Sequence, residues 1–156
     1  MSFVVTGLPL EPFRSLFGLS DAALTERGVI RRTVDANPGF PCRVTLEDAR
    51  PGETVLLLNY EHQSADTPYR ARHAIYVSEQ ARETRRAVDV VPGALRVRKA
   101  ISLRAFDEAG MMLEAEVAPG DGLEPVIERL LALPGVIYLH AHDAAMGCYA
   151  ARIDRG

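Results

Sequence analysis

The stretch Val136-Ile-Tyr-Leu-His-Ala-His142, with Asp143-Ala-Ala-Met-Gly-Cys148 and Tyr149-Ala-Ala-Arg-Ile-Asp-Arg155 after it, decides the fold. In its first part Ile137, Leu139 and Ala141 alternate with Val136, Tyr138, His140 and His142. In its last part Tyr149, Ala151 and Ile153 alternate with Cys148, Ala150 and Arg152. Two alternating runs around a glycine-containing turn read as an antiparallel β-hairpin. If both apolar sets share one buried face, residues of equal parity pair across the ladder, because a one-residue slip turns every side chain over. Such pairing requires an odd loop, Ala145-Met146-Gly147, with the glycine in the left-handed conformation. His142 then pairs with Ala150 and His140 with Arg152. His140, His142, Cys148 and Arg152 share one face, and nearby positive charge lowers the Cys148 thiol pKa. An even loop would send Cys148 to the opposite face.

Upstream lies the best helix of the chain. Leu123, Val126, Ile127, Leu130 and Leu131 recur at helical spacing, Asp121 and Glu124 resemble a capping box, and Leu133-Pro134-Gly135 ends the run. The expectation is one main helix over about 122–133, set as a crossover between the strands at 111–117 and 136–142. Asp107-Glu-Ala-Gly110 is a hairpin turn between strands at 101–106 and 111–117. Thr54 to Tyr60 is the most apolar run and reads as a strand buried on both faces. A twelve-residue loop, Glu61 to Arg72, separates it from a strand at 73–78. Near the N-terminus, short helices are expected at 10–17 and at 21–27, the second capped by Ser20 and stopped by Gly28. Glu79 to Val88 reads as helical. The predicted fold class is α+β: a largely antiparallel mixed sheet, one main helix and short N-terminal helices, in a single domain over residues 1–156.

Composition narrows the function classes. The chain has 156 residues, 47% hydrophobic and 25% charged, the profile of a soluble globular protein. With 18 Lys and Arg against 21 Asp and Glu, the formal net charge is −3. That argues against a nucleic-acid binder. No segment approaches a membrane span, and the N-terminus lacks the basic and apolar regions of a signal peptide. Two cysteines in that context suggest reduced thiols and a cytoplasmic location. Of the 18 basic residues only Lys99 is a lysine. A GC-rich genome explains this most simply; planar guanidinium forks for carboxylate or phosphate are the functional alternative.

Several stretches together carry a resemblance. They are Asn37-Pro-Gly-Phe-Pro-Cys-Arg43, Leu46-Glu-Asp-Ala-Arg-Pro-Gly-Glu-Thr-Val-Leu-Leu-Leu58, Tyr60-Glu-His-Gln63, Ser102-Leu-Arg-Ala-Phe-Asp107, Tyr138-Leu-His-Ala-His142 and Gly147-Cys-Tyr-Ala-Ala-Arg152. The chain resembles, over nearly its whole length, a bacterial family of short proteins catalogued as Domain of Unknown Function 1203. The resemblance implies no activity, ligand or catalytic role. His73 or Ala74 stands where the family pattern has a glycine, so His73 is not taken as a family site residue.

The residues with chemistry are Cys148, His140 and His142 as catalytic candidates, and His62, Tyr69, Arg70, Arg72, Arg152 and Cys42 as ligand-binding candidates. A cysteine with neighbouring imidazoles can become a nucleophilic thiolate. The alternative for either cysteine is a small buried hydrophobe. The His140-x-His142 spacing is weakly specific for zinc, so no metal or cofactor is expected and purified protein should lack stoichiometric zinc. Phosphate-loop, nucleophile-elbow, H-E-x-x-H and C-x-x-C motifs are absent. The leading expectation is a small-ligand-binding domain, with a pocket for a small anionic molecule between the hairpin face and the 61–72 loop, held by Arg70, Arg72 or Arg152; if enzymatic, its chemistry would be of the cysteine–histidine type. The alternative is a non-catalytic interaction module or a homodimeric structural domain.

Overall fold

The computed structural model describes residues 1–156. Its strands are β1 (Phe3–Thr6), β2 (Ile30–Thr33), β3 (Thr54–Gln63), β4 (Ala71–Ser78), β5 (Arg86–Val88), β6 (Ile101–Phe106), β7 (Met112–Ala118), β8 (Tyr138–Asp143) and β9 (Tyr149–Arg155). Its helices are α1 (Glu11–Arg14), α2 (Asp21–Glu26), α3 (Gly93–Arg96) and α4 (Leu123–Leu131). Six strands form one sheet in the order β5-β1-β9-β8-β6-β7, and three form a second in the order β2-β3-β4. Every ladder is antiparallel; a single bridge from Cys42 to Tyr76 is parallel. The fold is α+β with one main helix. No helix is long and apolar enough to cross a membrane.

The main core lies between α4 and one face of the larger sheet. Leu123, Val126, Ile127, Leu130 and Leu131 are all buried there against Leu103, Ala105, Leu139, Ala141, Ala151 and Ile153. The amphipathic period of α4 supplies one side and strand alternation the other. The opposite face of the larger sheet meets the smaller sheet. Tyr149 packs with Ile75 and Val77 of β4 in a second core that also holds Cys42, Val44, Leu8 and Phe13.

Three expectations are corrected. The stretch from Glu79 to Arg85 is turn and irregular chain that leads into β5, because no apolar period gives a helix there a face to bury. The α1 helix is one turn, with turns continuing to Gly18. The 61–72 loop is shorter than expected, because the strands extend into it at both ends: Tyr60 pairs with His73 and Glu61 with Arg72, so only residues 64–70 link β3 to β4. This tip lies over the β6–β7 turn, where Thr67 Oγ1 donates to the Gly110 carbonyl at 3.2 Å. Gly110 has φ +85°, and a Cβ there would sit 2.4 Å from that of Ala65, so both backbone and space demand glycine.

Candidate functional site

The β8–β9 hairpin departs from uniform equal-parity pairing. Asp143 N–H donates to the Cys148 carbonyl, which leaves an even loop of residues 144–147 with Gly147 at φ +80°. Asp143 Oδ1 accepts from the N–H groups of Ala145 and Met146 and holds the turn. His142 therefore faces Tyr149 rather than Ala150. The ladder then shifts by one residue: Ala150 is the extra residue of a β-bulge, Ala141 pairs with Ala151, and His140 pairs with Arg152 as the alternation requires. The bulge puts Tyr149 beside the histidines and turns Cys148 away from them.

Cys148 thus leaves the direct cluster. Its charged neighbours are Arg43 and Asp143, and burial pushes its thiol above the ordinary value. The lowered thiol pKa expected from the hairpin reading is overturned. Cys42 is buried, its Sγ 3.2 Å from the Ser78 N–H. Both thiols are free.

A histidine from the other sheet takes the place of the cysteine. The β3–β4 ladder passes from Glu61↔Arg72 to Gln63↔Ala71, so His62 is the unpaired residue of a second bulge. Bulges redirect side chains, and this one accompanies the turn of His62 toward the larger sheet. Its ring stacks on Tyr149, with centroids 5.3 Å apart and planes 9° from parallel. It meets His142 edge-on at 4.9 Å and His140 at 6.3 Å. One ring nitrogen from each of His62, His140 and His142 lies within 4.8 Å of the other two. Gln63 Nε2 donates to Tyr138 Oη at 2.9 Å and ties the end of β3 to β8.

The electrostatics keep these rings neutral. Burial pushes His140 and His142 down to about 3 and His62 to about 4. The positive charge of Arg104 acts in the same direction on all three. His142 Nδ1 lies 2.9 Å from the Gly147 carbonyl. A carbonyl only accepts, so the neutral ring carries its proton on Nδ1 and presents the Nε2 lone pair. Nδ1 of His62 and Nδ1 of His140 are buried without a hydrogen-bond partner. An orphaned buried polar atom costs about 1–3 kcal/mol, so two in one cluster call for an explanation.

The remaining candidates separate. Arg152 lies on the histidine face but is paired with Asp154 at 2.8 Å, its guanidinium 3.9 Å above the Tyr138 ring. Arg70 pairs with Glu61, and Arg72 Nε donates to Asn59 Oδ1 at 2.6 Å. Tyr69 is 38% exposed and meets the edge of Phe106. The clefts beside Thr45, Glu47 and Gln80 contain none of the histidines. Sequence reasoning missed Tyr149 as a cluster member and Arg104 as a neighbour. Arg104 sits between Ser102 and Phe106 in an alternating strand, and its place becomes visible only once β6 pairs with β8 and sets it opposite His140.

Beyond the geometry, one comparison is informative. A family model described as "Protein of unknown function (DUF1203)" matches residues 39–155. The chain belongs to this family. No curated protein and no solved structure matches it. The DUF1203 match spans β3 to β9 and so covers His62, Arg104, His140, His142 and Tyr149.

Proposed function

We propose that this protein is a metal-binding domain whose centre is His62, His140 and His142. The observation that carries the reading is the convergence of three imidazoles from two sheets, His140 and His142 buried and His62 half-buried, with unpartnered buried Nδ1 atoms on His62 and His140. Three histidines are a donor set suited to zinc and similar ions, and three protein ligands leave a position open for water or a small ligand. Nitrogens bound to one tetrahedral zinc lie about 3.3 Å apart, given bonds of about 2.0–2.1 Å. Closing the present separations asks for side-chain rotations rather than a new fold. Neutral rings favour the ion, since protonation would compete with it. The expectation of no stoichiometric zinc rested on the weak specificity of the His140-x-His142 spacing; His62 as a third nitrogen donor changes the donor set.

The test is cobalt(II) or zinc titration of chelator-treated protein, with elemental analysis for stoichiometry. One ion per chain is expected, with weaker binding in His62→Ala and His142→Ala and little change in His73→Ala. Absence of uptake, or uptake indifferent to His62, would leave the rings as an aromatic stack between sheets. The His62–Tyr149 stacking is the feature that favours this second reading.

A further inference from the structure

Arg104 stands directly opposite His140 in the β6–β8 ladder, with Ser102 opposite His142. Residues opposed in this way have Cβ atoms about 4.5–5.5 Å apart, so the guanidinium shares the face and neighbourhood of the histidines. Arg104 forms no ion pair; its one hydrogen bond is a long one, 3.4 Å from Nε to Ser102 Oγ. The other cationic groups nearby are already engaged: Arg152 by Asp154, Arg70 by Glu61, and Arg43 by the carbonyls of Tyr149 and Pro41. Arg104 is half-buried, and burial works against its charge. On its β7 side its neighbour is Ala115, small and exposed, which leaves an approach from solvent along β7. The histidine cluster itself contains no acidic residue to neutralise a cation bound there.

We infer that Arg104 and the histidine centre together form a site for a small oxyanion, a phosphate or carboxylate group. One face of the anion meets the guanidinium and one oxygen points to the open position at His62, His140 and His142. The inference rests on the metal reading for that last contact. A guanidinium presents parallel N–H donors that match two oxygens of such a group, which a point charge cannot do. A divalent ion held by three neutral imidazoles keeps its full charge, and an anion would balance it. The site accounts for a cation without a counter-ion beside unpartnered nitrogens, and it assigns the small-anion role to Arg104 instead of Arg70, Arg72 or Arg152.

The probe is inorganic phosphate, titrated by calorimetry into cobalt-treated and metal-free protein, with the cobalt absorption spectrum followed in parallel. The variants are Arg104→Gln, which removes the charge and leaves a shorter polar side chain, and Arg104→Lys, which keeps charge and removes the fork. One phosphate per chain is expected for the unsubstituted protein. Arg104→Gln should weaken it about tenfold or more, the scale of one charge-assisted hydrogen bond, with Arg104→Lys between the two. Cobalt uptake should persist in all three and be no weaker in Arg104→Gln, because a guanidinium charge that disfavours protonated rings disfavours a bound cation as well. Phosphate binding of equal strength in Arg104→Gln, or none in either form, overturns the oxyanion site. Cobalt uptake reports separately on the metal: Arg104-dependent phosphate binding in protein that takes up no cobalt would sink the metal centre and leave the oxyanion site standing.

Discussion

His62 and Tyr149 lie stacked, 5.3 Å between ring centroids and 9° from parallel, although one belongs to the three-stranded sheet and the other to the six-stranded sheet. Each stands at a β-bulge, one between Glu61 and Gln63 and one at Ala150. The contact therefore fixes how the two sheets sit against each other and holds His62 over His142. Tyr149→Ala should cost about 3–5 kcal/mol of stability, as for other buried aromatic truncations. Tyr149→Phe keeps the ring and should cost less than about 1 kcal/mol. Denaturant unfolding of the pair checks this; equal losses would mean that the hydroxyl, not the stack, carries the effect.

The thiol of Cys148 offers a sharper discrimination. Burial raises its pKa, and the histidines are on the other face of the strand. Alkylation at neutral pH should be slower than for an unhindered free cysteine, because the thiolate is the nucleophile. His142→Ala should leave the pH at which the rate rises unchanged. A fast thiol slowed by that substitution would restore the cysteine–histidine pair.

How far the sequence discloses this site depends on what a bulge hides. The α4 helix is legible because five apolar residues at 3.6-residue spacing admit one face and one partner. The β8–β9 hairpin is legible as a hairpin, and His140↔Arg152 follows from alternation. The face of Cys148 is not legible, because Ala150 and Ala151 are adjacent alanines that fit either face and conceal the inserted residue. His62 is hidden similarly: its bulge breaks the alternation of β3 just where the chain turns polar. Arg70, Arg72 and Arg152 were attractive as free cations, yet Glu61, Asn59 and Asp154, all near in sequence, occupy them.

The main core makes a conventional demand. Leu130 is 2% exposed, within the cluster that joins α4 to the larger sheet. Leu130→Ala should lower the unfolding free energy by about 2–5 kcal/mol. A loss below about 1 kcal/mol, measured by denaturant titration, would place this helix face outside the core.

Glu79 ties the smaller sheet to the α2 region. Its carboxylate accepts from Arg31, Thr54 Oγ1 and the Gly18 N–H, and these bonds, that from Arg31 foremost, hold its pKa at about 2, against an ordinary 4.5. A carboxyl depressed in the folded state stabilises above its unfolded pKa and loses that contribution as pH falls toward the folded one. Stability should thus decline between about pH 5 and pH 2 more steeply in the unsubstituted protein than in Glu79→Gln, with a gap of about 1–3 kcal/mol at pH 7. Parallel pH profiles would show this as a surplus slope in the unsubstituted protein; parallel slopes would mean the carboxylate is solvent-screened.

A bound ion must also appear in the stability of the fold, because the three histidines meet only when the two sheets are packed. An ion that binds the folded state alone stabilises it by about 2.7 kcal/mol at a free concentration one hundred times its dissociation constant. Zinc added to chelator-treated protein should therefore raise the melting temperature, and EDTA should reverse the rise. His62→Ala removes the ligand from the smaller sheet and should abolish the increment even where the variant is itself less stable. His73→Ala is the control. Its ring has Nδ1 3.3 Å from the Ala74 carbonyl and lies outside the three-histidine group, so the increment should persist. A zinc-induced rise that survives in His62→Ala would locate the ion elsewhere and remove the link between sheet packing and the centre.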